Sequence, residues 1–241
     1  MNANAKSSHN AHIVILTGAG VSTESGIPTF RGAGGLWEGR EVMELATPET
    51  FERNPELVQR FYNERRQVLL TKEPNAAHRA IARLQREYSG RVTLVTQNID
   101  DLHERGGSPE VWHIHGELLK SRCIHCGAVN ECCRNLDPAS VCPACLSIDK
   151  LRPHVVWFGE TPLFLEELDE RTRDATLFAA IGTSGLVYPA ANFVHIARSR
   201  GARCMEFNLE SSNGVFDEFV AQTVTEWVDS PLGSPHSSET K

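Results

Sequence analysis

The chain has 241 residues, 40% of them apolar and 23% charged, and a formal charge of −7; this globular composition suits one generous domain or one domain with a small insert. No apolar run is long enough to span a membrane, and the acidic balance argues against a general nucleic-acid surface. Residues 1–10 are polar with a single lysine, resembling neither a secretory signal nor a transit peptide, so a soluble, cytoplasmic protein is expected, with 1–10 and 230–241 as flexible tails.

The first element is a continuous apolar strand, His12 to Thr17, followed without a gap by Gly18-Ala19-Gly20. Glycines at such a junction let the backbone approach a phosphate, and the helix expected to follow adds a favourable dipole. The usual G-x-G-x-x-G pattern is incomplete, because Thr23 stands where its third glycine would be, and a tight turn is the alternative reading. A glycine-rich, helix-poor stretch then runs from Ser22 through Arg31 to Trp37, long enough to be a loop over a ligand. Within it Arg31 offers a charge for a pyrophosphate and Phe30 a shield for a reacting ring.

Helical spacing covers residues 49–70, with Tyr62 and Arg65 on one face. A second helix follows Pro74, from Asn75 to Tyr88. Val92 to Thr96 reads as a buried strand, and Gln97-Asn98-Ile99-Asp100 falls at its C-terminal end, where open α/β sheets place their ligands. A short strand, Val111 to Ile114, delivers His115 to the same edge before Gly116 breaks the run. His113 and His115 share one strand face, and histidines so placed are also ordinary hydrogen-bonded groups.

Six of the seven cysteines lie between 123 and 145. Cys123-x-x-Cys126, a gap of fifteen residues and Cys142-x-x-Cys145 have the spacing of a four-thiolate zinc ribbon, whose closed coordination makes the ion structural. Cys132, Cys133 and His125 are read as spectators. Leu151 to Glu160 is a strand and turn in which Val156 and Phe158 are candidates for a channel wall. A charged helix around Asp169 to Asp174, a buried strand Leu177 to Ile181 ending in Gly182-Thr183-Ser184, a helix Pro189 to Ser199, and a strand Cys204 to Phe207 ending in Asn208-Leu209-Glu210 complete the pattern. Strand ends at Thr17, Thr96, Ile181 and Phe207 all deliver glycine or small polar residues. A doubly wound parallel α/β sheet brings such ends to one edge, where a dinucleotide can span them.

In this order the motifs resemble the sirtuins, NAD-dependent protein-lysine deacylases. The resemblance rests on Gly18-Ala19-Gly20-Val21-Ser22, Gly26 to Arg31, Thr96 to Asp100, His115-Gly116-Glu117-Leu118, the four cysteines, Gly182-Thr183-Ser184 and Asn208-Leu209-Glu210, and covers roughly residues 11–220. It implies a Rossmann-like catalytic domain over 11–229 with a zinc-ribbon insert at about 118–152, one structural zinc, and NAD meeting an acyl-lysine peptide in the cleft. NAD is then consumed as a reactant: nicotinamide leaves, the acyl oxygen attacks the ribose, and the resulting alkylimidate is resolved with His115 as general base. By the same resemblance Asn98, Asp100, Gln97 and Ile99 attend the ribose and carboxamide. Gly18, Ala19, Gly20 and Ser22 attend the phosphates, and Phe30, Arg31 and Trp37 guard the reactive face. Gly182, Thr183, Ser184, Asn208, Leu209 and Glu210 reach the adenosine end.

Tyr62 and Arg65 match a Tyr-x-x-Arg pair of sirtuins that remove succinyl and malonyl groups, where an arginine can meet the acyl carboxylate bidentately. Ala46 matches the small residue that widens that pocket, and a channel lined by Val156 and Phe158 should still admit acetyl-lysine. The expected partners are acylated proteins met by a monomeric enzyme. Mono-ADP-ribosyl transfer and a non-catalytic zinc-ribbon binding module are the competing expectations. The segment Val215 to Val228 is short for a final helix.

Overall fold

A computed structural model describes residues 11–28, 36–37, 40–41, 45–183, 191–208, 211 and 216–220. Strand β1 (His12–Thr17) leads into a 3-10 turn over Ala19–Ser25 in place of the expected helix, and Gly26 ends that turn in the left-handed region (φ 78). Two short strands, β2 (Leu36–Trp37) and β3 (Arg40–Glu41), pair antiparallel.

The helical stretch 49–70 is broken into α1 (Pro48–Arg53) and α2 (Pro55–Leu69). Asn54 causes the break: its side chain accepts from Leu57 N at 3.1 Å, and Pro55 occupies the first helical position, where a missing N–H costs nothing. Helix α3 (Ala76–Glu87) starts from Asn75, whose side chain accepts from the His78 amide while the His78 ring accepts from the Asn75 amide.

Then come β4 (Arg91–Thr96), the single-turn α4 (Leu102–Arg105), β5 (Trp112–His113), β6 (Gly116–Cys123), β7 (Val129–Glu131), β8 (Leu151–Val155), α5 (Leu165–Arg173), β9 (Leu177–Ile181), α6 (Ala191–Ser199), β10 (Arg203–Phe207) and β11 (Glu218–Val220). The last strand lies inside the segment considered for a final helix, and its pairing with β10 adds a sixth strand to the main sheet.

That sheet is parallel throughout, in the order β11-β10-β9-β1-β4-β5. Alternation along β1 sends Ile13 and Ile15 to one face, with Ile81, Leu94, Ile181 and Phe207, and Val14 and Leu16 to the other, with Phe178, Leu168, Phe193 and Val194. Both faces are therefore covered, which is why these strands read as unbroken apolar runs. The chain moves from β1 to β4 and β5 on one side, then resumes with β9, β10 and β11 on the other. The strand order thus reverses between β1 and β9, where such sheets open a crevice.

A second sheet, β7-β6-β8, is antiparallel and carries the cysteines. The two knuckles are built alike. Gly127 N donates to Cys123 O and Leu146 N to Cys142 O, each at 2.9 Å, while Cys123 N donates to Ala128 O and Cys142 N to Ser147 O. Gly127 and Leu146, the fourth residue after each leading cysteine, both have positive φ, 75 and 61. The Cys123–Cys145 and Cys126–Cys142 sulfurs are each 3.8 Å apart, and four thiolates at about 2.3 Å around a tetrahedral zinc have edges of about 3.8 Å. The donor set fits the ion. Cys133 and His125 are exposed, whereas Cys132 is buried with Leu136 and Leu151 in the small core beneath the cluster.

Helix α2 docks on this unit through one polar face. Gln59 Nε2 donates to Leu151 O at 3.1 Å; Asn63 donates to Leu136 O at 2.7 Å and accepts from Leu136 N at 2.9 Å; Arg66 Nε donates to Leu118 O at 3.1 Å.

Two outcomes follow from this packing. A Cβ at Gly20 would stand 2.7 Å from Gly182 Cα and 2.8 Å from Gly182 O, so Gly20→Ala should lower stability by about 1–3 kcal/mol, measured by denaturant unfolding. Cys142→Ser should abolish stoichiometric zinc and lower the thermal midpoint; a metal-free variant that melts like the parent would refute the four-thiolate centre.

Candidate functional site

The crevice between β1 and β9 is closed at its floor by two loops in backbone contact. Gly18 N donates to Ile181 O at 3.1 Å, Gly20 N to Gly182 O at 2.8 Å, and Gly182 N to Phe207 O at 2.9 Å. A Cβ on Gly18 would lie 2.7 Å from the Thr183 side chain. The glycines therefore serve loop-to-loop approach, and the Gly18 and Gly20 amides are taken up by it. Neither amide is then free for the phosphates that the resemblance assigns to Gly18 and Gly20.

Over this floor lies a buried polar network. Asn98 and Asp100 are each 6% exposed. Asn98 Nδ2 donates to Gly18 O at 3.2 Å and to Ser22 Oγ at 3.1 Å; the Ser22 hydroxyl donates to Asp100 Oδ2 at 3.0 Å, and Asp100 Oδ1 accepts from Leu102 N at 3.2 Å. His78 Nδ1 lies 3.2 Å from the Asn75 amide nitrogen and 2.9 Å from the Asn75 side-chain oxygen, and its Nε2 faces Ser22 Oγ at 3.4 Å. Burial, with Arg79 and Arg105 nearby, lowers His78 to about 4, which keeps it neutral. Burial also raises Asp100, against the opposing pull of its hydrogen bonds to Leu102 and Ser22. Ser22, expected to reach a phosphate, is the hub of this network.

His115 stands beside it with Nδ1 2.9 Å from the Gln97 carbonyl. A carbonyl only accepts, so Nδ1 carries the proton and Nε2 presents a lone pair. Burial lowers the His115 pKa, with the Gln97 bond opposing it. Gln97 Nε2 donates to Thr183 Oγ1 at 2.7 Å, and Asn208 Nδ2 donates to Thr183 O at 2.6 Å, which ties the ends of β4, β9 and β10 together.

Across from His115, Val156 N donates to His115 O and Phe158 N to Ala46 O, both at 2.9 Å. Val156 is half-buried and Phe158 exposed, whereas Trp157 between them is buried. Tyr62 and Ala46 are buried in the same cluster as Trp157. The Tyr62 hydroxyl accepts from Trp157 Nε1 at 2.9 Å, and burial raises its pKa well above the usual phenol value. Arg65 is half-buried with its guanidinium 4.4 Å from the Phe61 ring centroid, and desolvation lowers its pKa.

The expected residues Gly18, Ala19, Gly20, Ser22, Gln97, Asn98, Ile99, Asp100, His115, Gly182, Thr183 and Asn208 thus border one crevice, with Ala46, Tyr62, Arg65, Val156 and Phe158 grouped along one wall. Phe30, Arg31, Ser184, Leu209 and Glu210 lie outside the described residues, and of Trp37 only the backbone, in β2, is described. His78, Trp157 and the Thr17–Thr96 hydroxyl pair at 2.8 Å, where Thr96 also accepts from Asn98 N, were not legible as site residues. The capping pattern Asn75-x-x-His78 was the one local signal for His78.

The sequence model of the Sir2 family matches residues 18–189. The chain is 52% identical over 233 residues to "NAD-dependent protein deacylase SIR2rp3" of Trypanosoma brucei brucei, covering 92% of this chain and 96% of that protein. It is 54% identical over 203 residues to an "NAD-dependent protein deacylase" of Vibrio parahaemolyticus, covering 83% and 84%. Among solved structures it superposes with a TM-score of 0.84 and 39% identity on a Sir2 homologue in complex with NAD, covering 92% of this chain and 88% of the other. With the matched segment spanning the crevice, His115 and the cysteine cluster, the chain belongs to the Sir2 family.

Proposed function

We propose that this protein removes acyl groups from protein lysines with NAD as co-substrate, and that it favours acyl groups ending in a carboxylate. The observation that carries the reading is the His115 ring: its Nδ1 is fixed on the Gln97 carbonyl, its lone pair is available at Nε2, and it adjoins the Asn98–Ser22–Asp100 network at the sheet's reversal point. The naming of the relatives as NAD-dependent protein deacylases supports it.

When bound, NAD supplies an anomeric carbon with nicotinamide as leaving group, an electrophile for the acyl oxygen. Gly18, Ala19, Gly20 and Ser22 attend the phosphates. Asn98, Asp100, Gln97 and Ile99 bound the ribose and carboxamide end, and Gly182, Thr183 and Asn208 the adenosine end. Phe30, Arg31, Trp37, Ser184, Leu209 and Glu210 join them on resemblance alone. His115 takes a ribose hydroxyl proton at Nε2, and its lowered pKa keeps it a base at neutral pH. Val156 and Phe158 lay the peptide beside it. Arg65, partly desolvated, meets the acyl carboxylate, with the Tyr62 hydroxyl as an additional donor. One water is consumed in releasing the amine, and free lysine, nicotinamide and an O-acyl-ADP-ribose are the products.

Cytoplasmic placement and action as a monomer belong to the same proposal. Six clustered thiols, four of them suited to metal, fit a reducing compartment. No helix among the described residues is long and apolar enough to cross a membrane.

Purified protein incubated with NAD and acyl-lysine peptides should release nicotinamide and free lysine, followed by mass spectrometry. His115→Ala should cut turnover by about 10²–10⁴-fold. The acidic limb of kcat/KM should lie below the ordinary imidazole value of 6.5, since a lowered pKa keeps the base competent to lower pH. NAD-dependent labelling of protein without any acyl substrate would indicate ADP-ribosyl transfer instead.

For selectivity, Arg65→Met is the cleaner variant, because Tyr62→Phe also strips the buried Trp157 N–H of its acceptor. Arg65→Met should lower kcat/KM on succinyl-lysine by about tenfold to a hundredfold and leave acetyl-lysine nearly unchanged. Equal losses on both substrates would remove Arg65 from this role.

A further inference from the structure

Four consecutive carbonyls at the end of β4 each receive a donor from the segment 113–118. Thr96 O accepts from Ile114 N at 3.1 Å and Ile99 O from Leu118 N at 2.8 Å. Between them, Gln97 O faces His115 Nδ1 at 2.9 Å and Asn98 O faces His113 Nδ1 at 3.1 Å. This stapling holds the loop bearing Asn98 and Asp100 against the segment bearing His115. Three of the four donors keep their hydrogen at any working pH: two are backbone amides, and neutral His115 needs only one proton to make its bond.

His113 differs. Its Nε2 lies 2.6 Å from Glu104 Oε1 while its Nδ1 faces the Asn98 carbonyl. Both partners accept, so both ring nitrogens must carry a proton and the ring must be an imidazolium. We propose that His113 is a positioning residue for deacylation, its doubly protonated ring bracing the Asn98 carbonyl against Glu104 so that the 97–100 loop keeps its distance from His115. The proposal rests on the functional reading above and adds a residue to it.

The surroundings support the charge. Glu104 faces the ring from α4 and Glu117 from β6, Asp100 lies on the adjoining loop, and His103 on α4 is held neutral by deep burial and by the neighbouring His78 and His113. Lys120 contributes the opposing positive charge, but it is occupied with Glu117 at 2.8 Å. Burial alone would lower His113; the Glu104 hydrogen bond and charge, then the Glu117 charge, outweigh it, and the pKa is raised. Two histidines either side of Ile114, one ending β5 and one in the turn before β6, are thus held in opposite states, His115 neutral for proton abstraction and His113 charged for support. The second proton of His113 is the one element of the staple that alkaline pH removes. The ring then has one N–H for two acceptors, and either Asn98 or Glu104 loses its partner.

The test joins long-range ¹⁵N NMR of the imidazoles with kinetics on the full chain. At pH near 7.5 His113 should show both nitrogens protonated and His115 only Nδ1. Glu104→Gln, a change at a partly exposed side chain, should lower the His113 titration by about one unit or more and move the alkaline limb of kcat/KM down with it, leaving the acidic limb in place. His113→Asn, which keeps one donor nitrogen and does not titrate, should lower kcat by about tenfold or more with little change in KM for the acyl peptide and no remaining alkaline limb. A neutral His113 in the parent protein, an alkaline limb unmoved by Glu104→Gln, or full kcat in His113→Asn would each overturn the proposal. A lowered thermal midpoint with an unchanged pH profile would mark His113 as merely structural and overturn it too. If the parent protein shows no NAD-dependent turnover, the functional reading fails as well; turnover with an unmoved limb sinks only this inference.

Discussion

The crevice depends on a place where no side chain fits. Where the strand order reverses, the loops after β1 and β9 meet backbone to backbone, and a Cβ on Gly18, Gly20 or Gly182 would lie within 3.0 Å of atoms across the junction. Closeness on this scale is a steric constraint that glycine alone meets, with the positive φ of 60 at Gly182 as a second reason. Once the loops are locked together, the Gly18 carbonyl becomes a fixed acceptor for Asn98, and the Thr183 hydroxyl a fixed acceptor for Gln97. The polar residues of the crevice are thus positioned from the floor upward.

Buried polar groups are costly unless each is hydrogen-bonded, and a half-satisfied network is worse than an apolar one. Ser22 shows how the cost is met: its oxygen accepts from Asn98 and faces Nε2 of His78, while its own proton goes to Asp100. His78, lowered to about 4, stays neutral and adds no charge to the network. His115, with a carbonyl as its partner, is pushed toward the neutral form, while His113, with a carboxylate as its partner, is pushed toward the charged form. The difference between partners decides the state; burial is common to both.

What could be read from the chain divides along this line. Strands β1 and β9 were legible because both sheet faces are covered and their residues are apolar without interruption. The metal cluster was legible because chelation by two short loops imposes a spacing on the cysteines. The break between α1 and α2 was not, since Phe51, Val58 and Phe61 continue the helical period across it; Asn54-Pro55, a cap followed by a residue suited to the first helical position, was the signal available. His78 and Trp157 were silent for another reason. Their partners lie 56 and 95 residues away, Ser22 and Tyr62, and nothing in a local window connects them. The 3-10 turn over Ala19–Ser25 replaces the expected helix because the same residues must also reach Gly182 and Asp100.

The cysteine cluster takes no direct part in the chemistry proposed here, yet the unit it holds bears on the acyl wall. Gln59, Asn63 and Arg66 recur along one face of α2, and each is fixed to the zinc-bearing unit through backbone groups of Leu151, Leu136 and Leu118. Tyr62 occupies the adjoining face and is pinned by Trp157, which follows β8 and whose ring is covered by the Arg152 guanidinium at 3.3 Å. Arg152 is held in turn by both carboxylate oxygens of Glu160, at 2.7 and 2.9 Å. A guanidinium discriminates a carboxylate at the end of an acyl chain only if its helix does not drift, since displacements of about 1 Å erase much of the benefit of orientation. Helix α2, at 15 residues, is marginal by itself, and the thiolate-held unit on one side with the Trp157 wall on the other gives Arg65 a fixed base for the role proposed for it.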